Sequence, residues 1–356
     1  MVGGQPGASA PVELAGIASL AVRDLLAGPR VDGRVIAAIR GAVLVEFPGS
    51  GTGSDSDPRV VAISAADAIR LPNAIIIAGV TSDILAAATR TATAVITEAV
   101  VGPAPADRGP AVAGPAVAGP AVAGTTATRT ASPRRKRGGQ SPPVCVRAGG
   151  GAIRLADLTV VARRWWDPSP VFGALSRGRL DHGAAILGKV CAQATPGPTM
   201  ASHVAVKTLA ACCASGDLAG AVEQAELLVG LGPGIVPGGD GVLCGMLLAL
   251  RLLGGAIPGG TRAVWLAGWL SAAVTSYARQ RTTPLAASLL TCASRGQAAA
   301  EVCAVLHGVA GEEPVEPAAR KLLAADAAGP AAGLGAADLA WGLVAGCRAA
   351  QVLSVS

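Results

Sequence analysis

Residues 230–245 read GLGPGIVPGGDGVLCG. Gly230, Gly232, Gly234, Gly238, Gly239 and Gly241 share twelve residues with Pro233, Pro237 and one acid, Asp240. Glycine reaches positive φ at little steric cost and lets other backbone approach, so a cluster this dense dictates a tight elbow. Two familiar phosphate-binding patterns are excluded. No Lys-Ser or Lys-Thr pair follows a glycine, as a P-loop requires. Counted from Gly230 or Gly232, the third glycine of a dinucleotide fingerprint falls on Ile235 or Pro237. The preceding DLAGAVEQAELLVG has helical spacing, whereas that fingerprint follows a strand. The segment therefore joins helix to helix. Asp240 is expected to cap the second helix, and the free N–H groups there suit an anion.

Composition narrows the rest. Hydrophobic residues make up 51% of the 356 but aromatics only 2%, so the cores must be built from Ala, Val, Leu and Gly. The formal charge of +6 is misleading. Residues 102–143 carry Arg108, Arg129, Arg134, Arg135, Lys136 and Arg137 against Asp107, which leaves about +1 for all other residues. A clustered basic face for nucleic acid is not supported elsewhere. The charge-free stretch Ala263–Ala278 is shorter than the roughly 20 apolar residues a membrane span needs, and it reads as a core helix. No basic n-region opens the chain and Glu13 interrupts its first apolar run, so a cytoplasmic protein without a signal peptide is expected. The eight cysteines form no C-x-x-C pair and bear no ligand spacing to His182, His203 or His307, so no metal or other cofactor is expected.

Apolar spacing predicts a helix over Val12–Leu26, then strands at 33–47, 59–64 and 73–79, a helix at Asp83–Thr91 and a strand at Ala94–Val101. Composition then breaks. GPAVA recurs three times before RRKRGGQSPP, so 102–143 reads as a disordered Pro/Gly/Ala insert. The RRKR run fits a solvated tail better than a binding site. Strand signals resume at 144–148 and 153–165, and Trp165-Trp166 suits a domain interface or a stacking pair. From about Val171 the periodicity is helical. The expected fold class is α+β, with a β-rich domain over 1–175 and an α-helical domain with glycine-rich loops over 176–356.

Two further tracts bear on chemistry. RQRTTPLAASLLTCASRGQ (279–297) places Arg281, Thr282 and Thr283 before a helix. Such groups suit a carboxylate or phosphate, but an ordinary threonine cap before a first-turn proline explains them equally. AAGPAAGLGAADLAWGLVAG (327–346) repeats the pattern of glycine loop, lone acid (Asp338) and apolar helix.

Together these tracts resemble the family of the AllH subunit of oxamate carbamoyltransferase. LVGLGPGIVPGGDGVLCG is similar to its GLGPGLTPSGDD-F-L-x-G signature, RTTPLAASLLTCASRG to its R-T-T-x-x-S block, and GPAAGLGAADLAWG to a third glycine/serine block with an Asp. The similarity covers about 203–350. It implies a β-rich N-terminal portion, FdrA-like and AllG-like partner subunits, and transfer of a carbamoyl group between phosphate and oxamate nitrogen in purine-ureide breakdown. It points to Gly232, Pro233, Gly234, Pro237, Gly239, Asp240, Arg281, Thr282, Thr283 and Asp338 as substrate-binding positions. The chain departs from the signature at Val236, Gly238, Gly241 and Val242, and from the second block at Ala286. Those departures keep open a second class of function, a non-catalytic protein that retains the fold and binds or senses a small anion. Nucleic acid and membrane are not expected partners.

Overall fold

The computed structural model describes residues 12–39, 41–49, 58–87, 145–194, 199–324 and 334–354. The strand expected at Ala94–Val101, the end of the helix expected at Asp83–Thr91 and the expected insert at 102–143 lie outside them. The α+β expectation holds: a strand-rich N-terminal part precedes a helical C-terminal part.

Eight strands close a barrel in the order β1-β5-β4-β3-β2-β6-β7-β8. They are β1 (Val12–Ser19), β2 (Val31–Ile39), β3 (Ala42–Phe47), β4 (Arg59–Ser64), β5 (Ala74–Ile77), β6 (Cys145–Gly149), β7 (Ala152–Leu155) and β8 (Leu158–Trp166). The β1–β8 and β4–β5 pairs are parallel and the others antiparallel. The predicted run 33–47 folds into two strands, because Gly41 turns the chain at φ +76°. The helix expected over Val12–Leu26 is corrected. Val12–Ser19 is strand β1, and only a 3₁₀ turn and α1 (Arg23–Ala27) are helical. LAGIASLAV is so continuously apolar that it fits both periods, and the pairing of β1 with β5 and β8 settles the choice.

Small side chains and one aromatic fill the barrel. Val43, Val45, Ile63, Ile75, Ile77 and Val160 point inward around Phe47. The ring of Phe47 lies on Gly33, where a Cβ would sit 2.5 Å from Cε1. Strands β3, β4 and β5 are buried on both faces, which explains their unbroken apolar sequence. Their outward residues Leu44, Val60, Ala62 and Ala74 form a second core with Val236, Leu285 and Ala286 of the helical part.

After a short helix at 82–87 (α2), the helical part comprises α3 (Arg177–Ala194), α4 (Val204–Ser215), α5 (Leu218–Leu228), α6 (Gly238–Leu248), α7 (Gly254–Ala256), α8 (Thr261–Arg281), α9 (Pro284–Ser294), α10 (Ala300–Val309), α11 (Val315–Leu323) and α12 (Ala336–Leu353). A π-helical segment, Ala249–Leu253, joins α6 to α7. The helical character expected from about Val171 is observed, and the first long helix after it is α3. Its buried Leu180, Ala184, Leu187 and Cys191 are interleaved with Gly183 and Gly188, which thin the apolar stripe.

Helices α6 and α12 pack backbone to backbone. A Cβ on Gly342 would lie 2.1 Å from the Val242 carbonyl oxygen, and one on Gly245 would lie 2.1 Å from that of Leu339. Gly241-x-x-x-Gly245 on one helix thus meets Gly342-x-x-x-Gly346 on the other. Among the described residues, Gly238–Ala256 is the one helix long and apolar enough to cross a membrane, and 78% of it is buried inside the protein. Helix α8 corrects another expectation. One face packs inward through Leu266, Leu270 and Val274, but Trp265, Trp269 and Tyr277 stand exposed on its outer surface.

Candidate functional site

The glycine elbow sits where the barrel, α6, α9 and α12 meet. Helix α5 ends at Leu228, and the chain turns through Gly230 (φ +75°), Gly232 (φ +107°) and Gly234 (φ +106°) before α6 begins at Gly238. Gly230 admits no side chain, since a Cβ there would fall 2.0 Å from the carbonyl oxygen of Arg281. Gly232 and Pro233 form the exposed tip, whereas Val236–Asp240 are buried. The amide of Gly239 donates to the Leu231 carbonyl at 2.9 Å, so the loop itself takes up one amide of the α6 N-terminus.

Asp240 does not cap α6. The N-cap is Pro237, which forms no side-chain cap, and Asp240 lies in the first turn, fully buried. Its carboxylate points back across the elbow. Oδ1 accepts from the Gly230 amide at 3.0 Å and Oδ2 accepts from the Thr282 hydroxyl. Burial pushes its pKa above the ordinary 3.8, while the bonds from Thr282 and Gly230 pull it down. Asp240 therefore ties the first sequence block to the second.

Two more ties complete a knot. Thr283 caps α9 by accepting from the Ala286 amide at 3.1 Å, and its hydroxyl donates to the Ile235 carbonyl at 2.6 Å. Asp338, in the first turn of α12, accepts from the Met200 amide at 2.9 Å. Its Oδ2 occupies the space a Cβ on Gly238 would need, at 2.5 Å. The three blocks, far apart in sequence, thus converge on one point. Most of the side chains singled out from the sequence are engaged there by the protein itself. Arg281 is the exception: it is exposed and forms no ion pair among the described residues.

Beside the knot lies a cleft of about 620 Å³ between the barrel and helices α8 and α9. Arg59, Asn73, Arg279, Ser288, Thr291 and Arg295 are among its lining residues. Arg279 is held by the Pro58 carbonyl at 2.6 Å and by Glu46 at 3.5 Å. The Asn73 amide nitrogen donates to the Val60 carbonyl at 2.8 Å and to Ser288 Oγ at 3.1 Å, which fixes the amide and leaves its buried Oδ1 without a donor. A wall carrying three guanidinium groups and several hydroxyls suits a small anion. Sequence reasoning missed these residues. Arg59 and Asn73 lie in strand-like segments with no motif, and Ser288, Thr291 and Arg295 were read only as the body of a helix.

A smaller apolar cavity of about 50 Å³ lies on the other side of the elbow, lined by Val236, Gly241, Cys244, Leu334 and Leu339 among others.

Residues 228–347 match the family model of oxamate carbamoyltransferase subunit AllH. The match supports an AllH-like family member and spans about a third of the chain, from the end of α5 into α12. It includes all three blocks of the knot and leaves out the barrel. No curated protein and no solved structure matches the chain.

Proposed function

We propose that the chain is a subunit of an oxamate carbamoyltransferase-like complex, acting on carbamoyl phosphate and a small carboxylate in purine-ureide catabolism. One observation carries this reading. The three blocks inside the family match close into a single knot, and the helix it anchors, α9, forms a wall of the basic cleft. Thr283 fixes the start of α9, and Ser288, Thr291 and Arg295 follow along the same helix. The knot serves as a scaffold, and the cleft provides the room and charge for an anionic substrate.

Carbamoyl transfer asks for groups that hold phosphate and polarise a carbonyl. Guanidinium and hydroxyl donors on fixed elements meet that need. In this reading Arg281 and the loop backbone near the exposed Gly232–Pro233 tip offer further anion contacts at the knot. The strand-rich part up to residue 175 supports the helical part from 176 onward, and FdrA-like and AllG-like subunits supply what completes the active site in the cytoplasm.

A second reading is favoured by one observation: Val236, Gly241 and Ala286 replace polar residues of the family signature and lie in apolar surroundings. A protein so altered keeps the fold and binds a small anion without catalysis. Co-expression with the partner subunits, followed by phosphate release from carbamoyl phosphate with oxamate as acceptor, separates the two. Release above that of the partners alone supports the first reading. A phosphate- or oxamate-induced thermal shift without turnover supports the second. Neither signal would refute both.

A further inference from the structure

The chain has only five Trp, one Tyr and two Phe, yet two of the tryptophans and the single tyrosine stand on the outside of one helix. On α8, Trp265 is 60% exposed, Trp269 51% and Tyr277 44%. Trp265 and Trp269, one turn apart, meet edge to face with ring centroids 5.7 Å apart. Between them Gly268 leaves a notch, since a Cβ there would meet nothing within 4 Å. Ala272 and Ser276 extend the same stripe, and both border the basic cleft. The aromatic patch and the cleft are thus consecutive stretches of one helical face.

Large exposed aromatics are uncommon on a free surface and enriched at the centres of protein interfaces. The two indole side chains together offer on the order of 250 Å² of surface. A standard interface takes about 800 Å² per partner, so the patch is the size of an interface centre with its rim on neighbouring surface. Charge narrows the occupant. Helix α8 carries no acid, and Arg262, one turn before Trp265, has no ion pair among the described residues. A second copy offers no carboxylate on this helix for Arg262. Helices that lie on membranes carry many Lys and Arg beside the apolar face, and the N-terminal half of α8 has Arg262 alone.

We infer that the Trp265–Trp269 face of α8 is the docking surface for a different protein subunit, which presents an apolar patch edged by a carboxylate opposite Arg262 and which, once seated, covers the adjoining cleft. This rests on the reading of the chain as a subunit and adds where a partner sits and why it is required: a cleft open at α8 is closed to water by the partner's surface.

The test uses the full chain co-purified with its FdrA-like and AllG-like subunits. Hydroxyl-radical oxidation of Trp265 and Trp269 is expected to fall at least fivefold in the complex. Trp265→Ser with Trp269→Ser is expected to weaken assembly at least a hundredfold, with the isolated chain melting within a few degrees of wild type. Arg262→Glu, which leaves the aromatics in place, is expected to weaken assembly about tenfold. A complex in which both tryptophans stay reactive overturns this inference and leaves the subunit reading standing. Failure of the wild-type chain to bind either subunit overturns both. Self-association of the chain alone that the double variant abolishes, or tryptophan-dependent binding to phosphatidylserine vesicles, assigns the face to another occupant and overturns the inference.

Discussion

Replacing Asp240 by alanine and by asparagine distinguishes a buried tie from a helix cap. A cap lost to alanine costs about 1 kcal/mol. The geometry predicts more. Asp240→Ala removes the acceptor of both the Gly230 amide and the Thr282 hydroxyl, inside a site where the carboxylate is fully buried. Hydrogen bonds to a charged group contribute about 1.5–3 kcal/mol each. Gly230 and Thr282 are themselves half-buried, so water recovers part of the loss. A net cost of about 3–4 kcal/mol follows, a large share of the 5–15 kcal/mol that typically holds a protein folded. Asp240→Asn keeps an oxygen for Gly230 and turns its amide toward Thr282 Oγ1, so it should lie within about 1 kcal/mol of wild type. The pH dependence has a definite sign. Burial raises the folded pKa above 3.8. The protonated form is therefore favoured in the folded state, and its stabilising contribution is full below pH 3.8 and lost as pH rises through the raised value. Wild type should lose stability relative to Asp240→Asn over that window. Urea unfolding followed by far-ultraviolet circular dichroism measures all three proteins. Equal midpoints for the alanine and asparagine variants at pH 7 would refute the tie.

Three other outcomes follow from packing and charge. Gly342→Ala gains about 1 kcal/mol of helix propensity, but its Cβ falls 2.1 Å from the Val242 carbonyl. The helices must separate, and a net loss of about 2 kcal/mol is expected, whereas Gly268→Ala, with nothing within 4 Å, should raise the stability of the isolated chain; thermal melts compare them. Burial pushes Cys213, Cys292, Cys303 and Cys347 up to about 12 and Cys191 to about 11. A disulfide reagent at pH 8 should therefore modify the half-buried Cys212 first among the described thiols, the half-buried Cys303 more slowly, and the buried ones only on unfolding. Arg295→Gln should abolish a phosphate-induced thermal shift if the cleft holds the anion, and an unchanged shift would place the anion elsewhere.

The sequence revealed helices well and strands unevenly, for physical reasons that particular residues show. Gly216 (φ +75°) caps the C-terminus of α4, and Gly296 (φ +77°) follows the last turn of α9. Within Val12–Ser19 the one glycine, Gly16, has no positive φ and ends nothing, and a run of small apolar residues there fits either period, so the pairing with β5 and β8 decides it. The knot was legible as motifs but not as bonds. Nothing local indicates that the Asp240 carboxylate turns back to Gly230 and across to Thr282, because that contact closes 42 residues of chain. The cleft was not legible, since its walls come from β4, α8 and α9 and each contributes residues that look ordinary alone.

The positions where the chain departs from the resembled signature fall into two packing environments. A Cβ on Gly238 would meet Asp338 Oδ2 at 2.5 Å, and one on Gly241 would lie 3.0 Å from the Gly335 carbonyl and 3.3 Å from the Leu339 amide. The backbone of Val236 touches Gly335 in turn, its carbonyl oxygen 3.3 Å from the Cβ position. A side chain at 238 would have to displace the Asp338 carboxylate and the Met200 side chain, and one at 241 would press on the backbone at the start of α12. Threonine at 236 would bring a hydroxyl among the apolar Leu44, Val60, Leu285 and Ala286, at a cost of about 1–3 kcal/mol if it is left unpaired there. Positions 238 and 241 thus both abut the first turn of α12, whereas 236 and 286 share an apolar cluster against the barrel. Restoring one polar residue at a time would strain the α6–α12 contact or bury an unpaired hydroxyl, so donors lost at the elbow are not recovered singly. In the reading proposed above, anion binding therefore falls to the cleft along α9 and to Arg281, outside the knot, and the Arg295→Gln thermal-shift comparison tests that assignment.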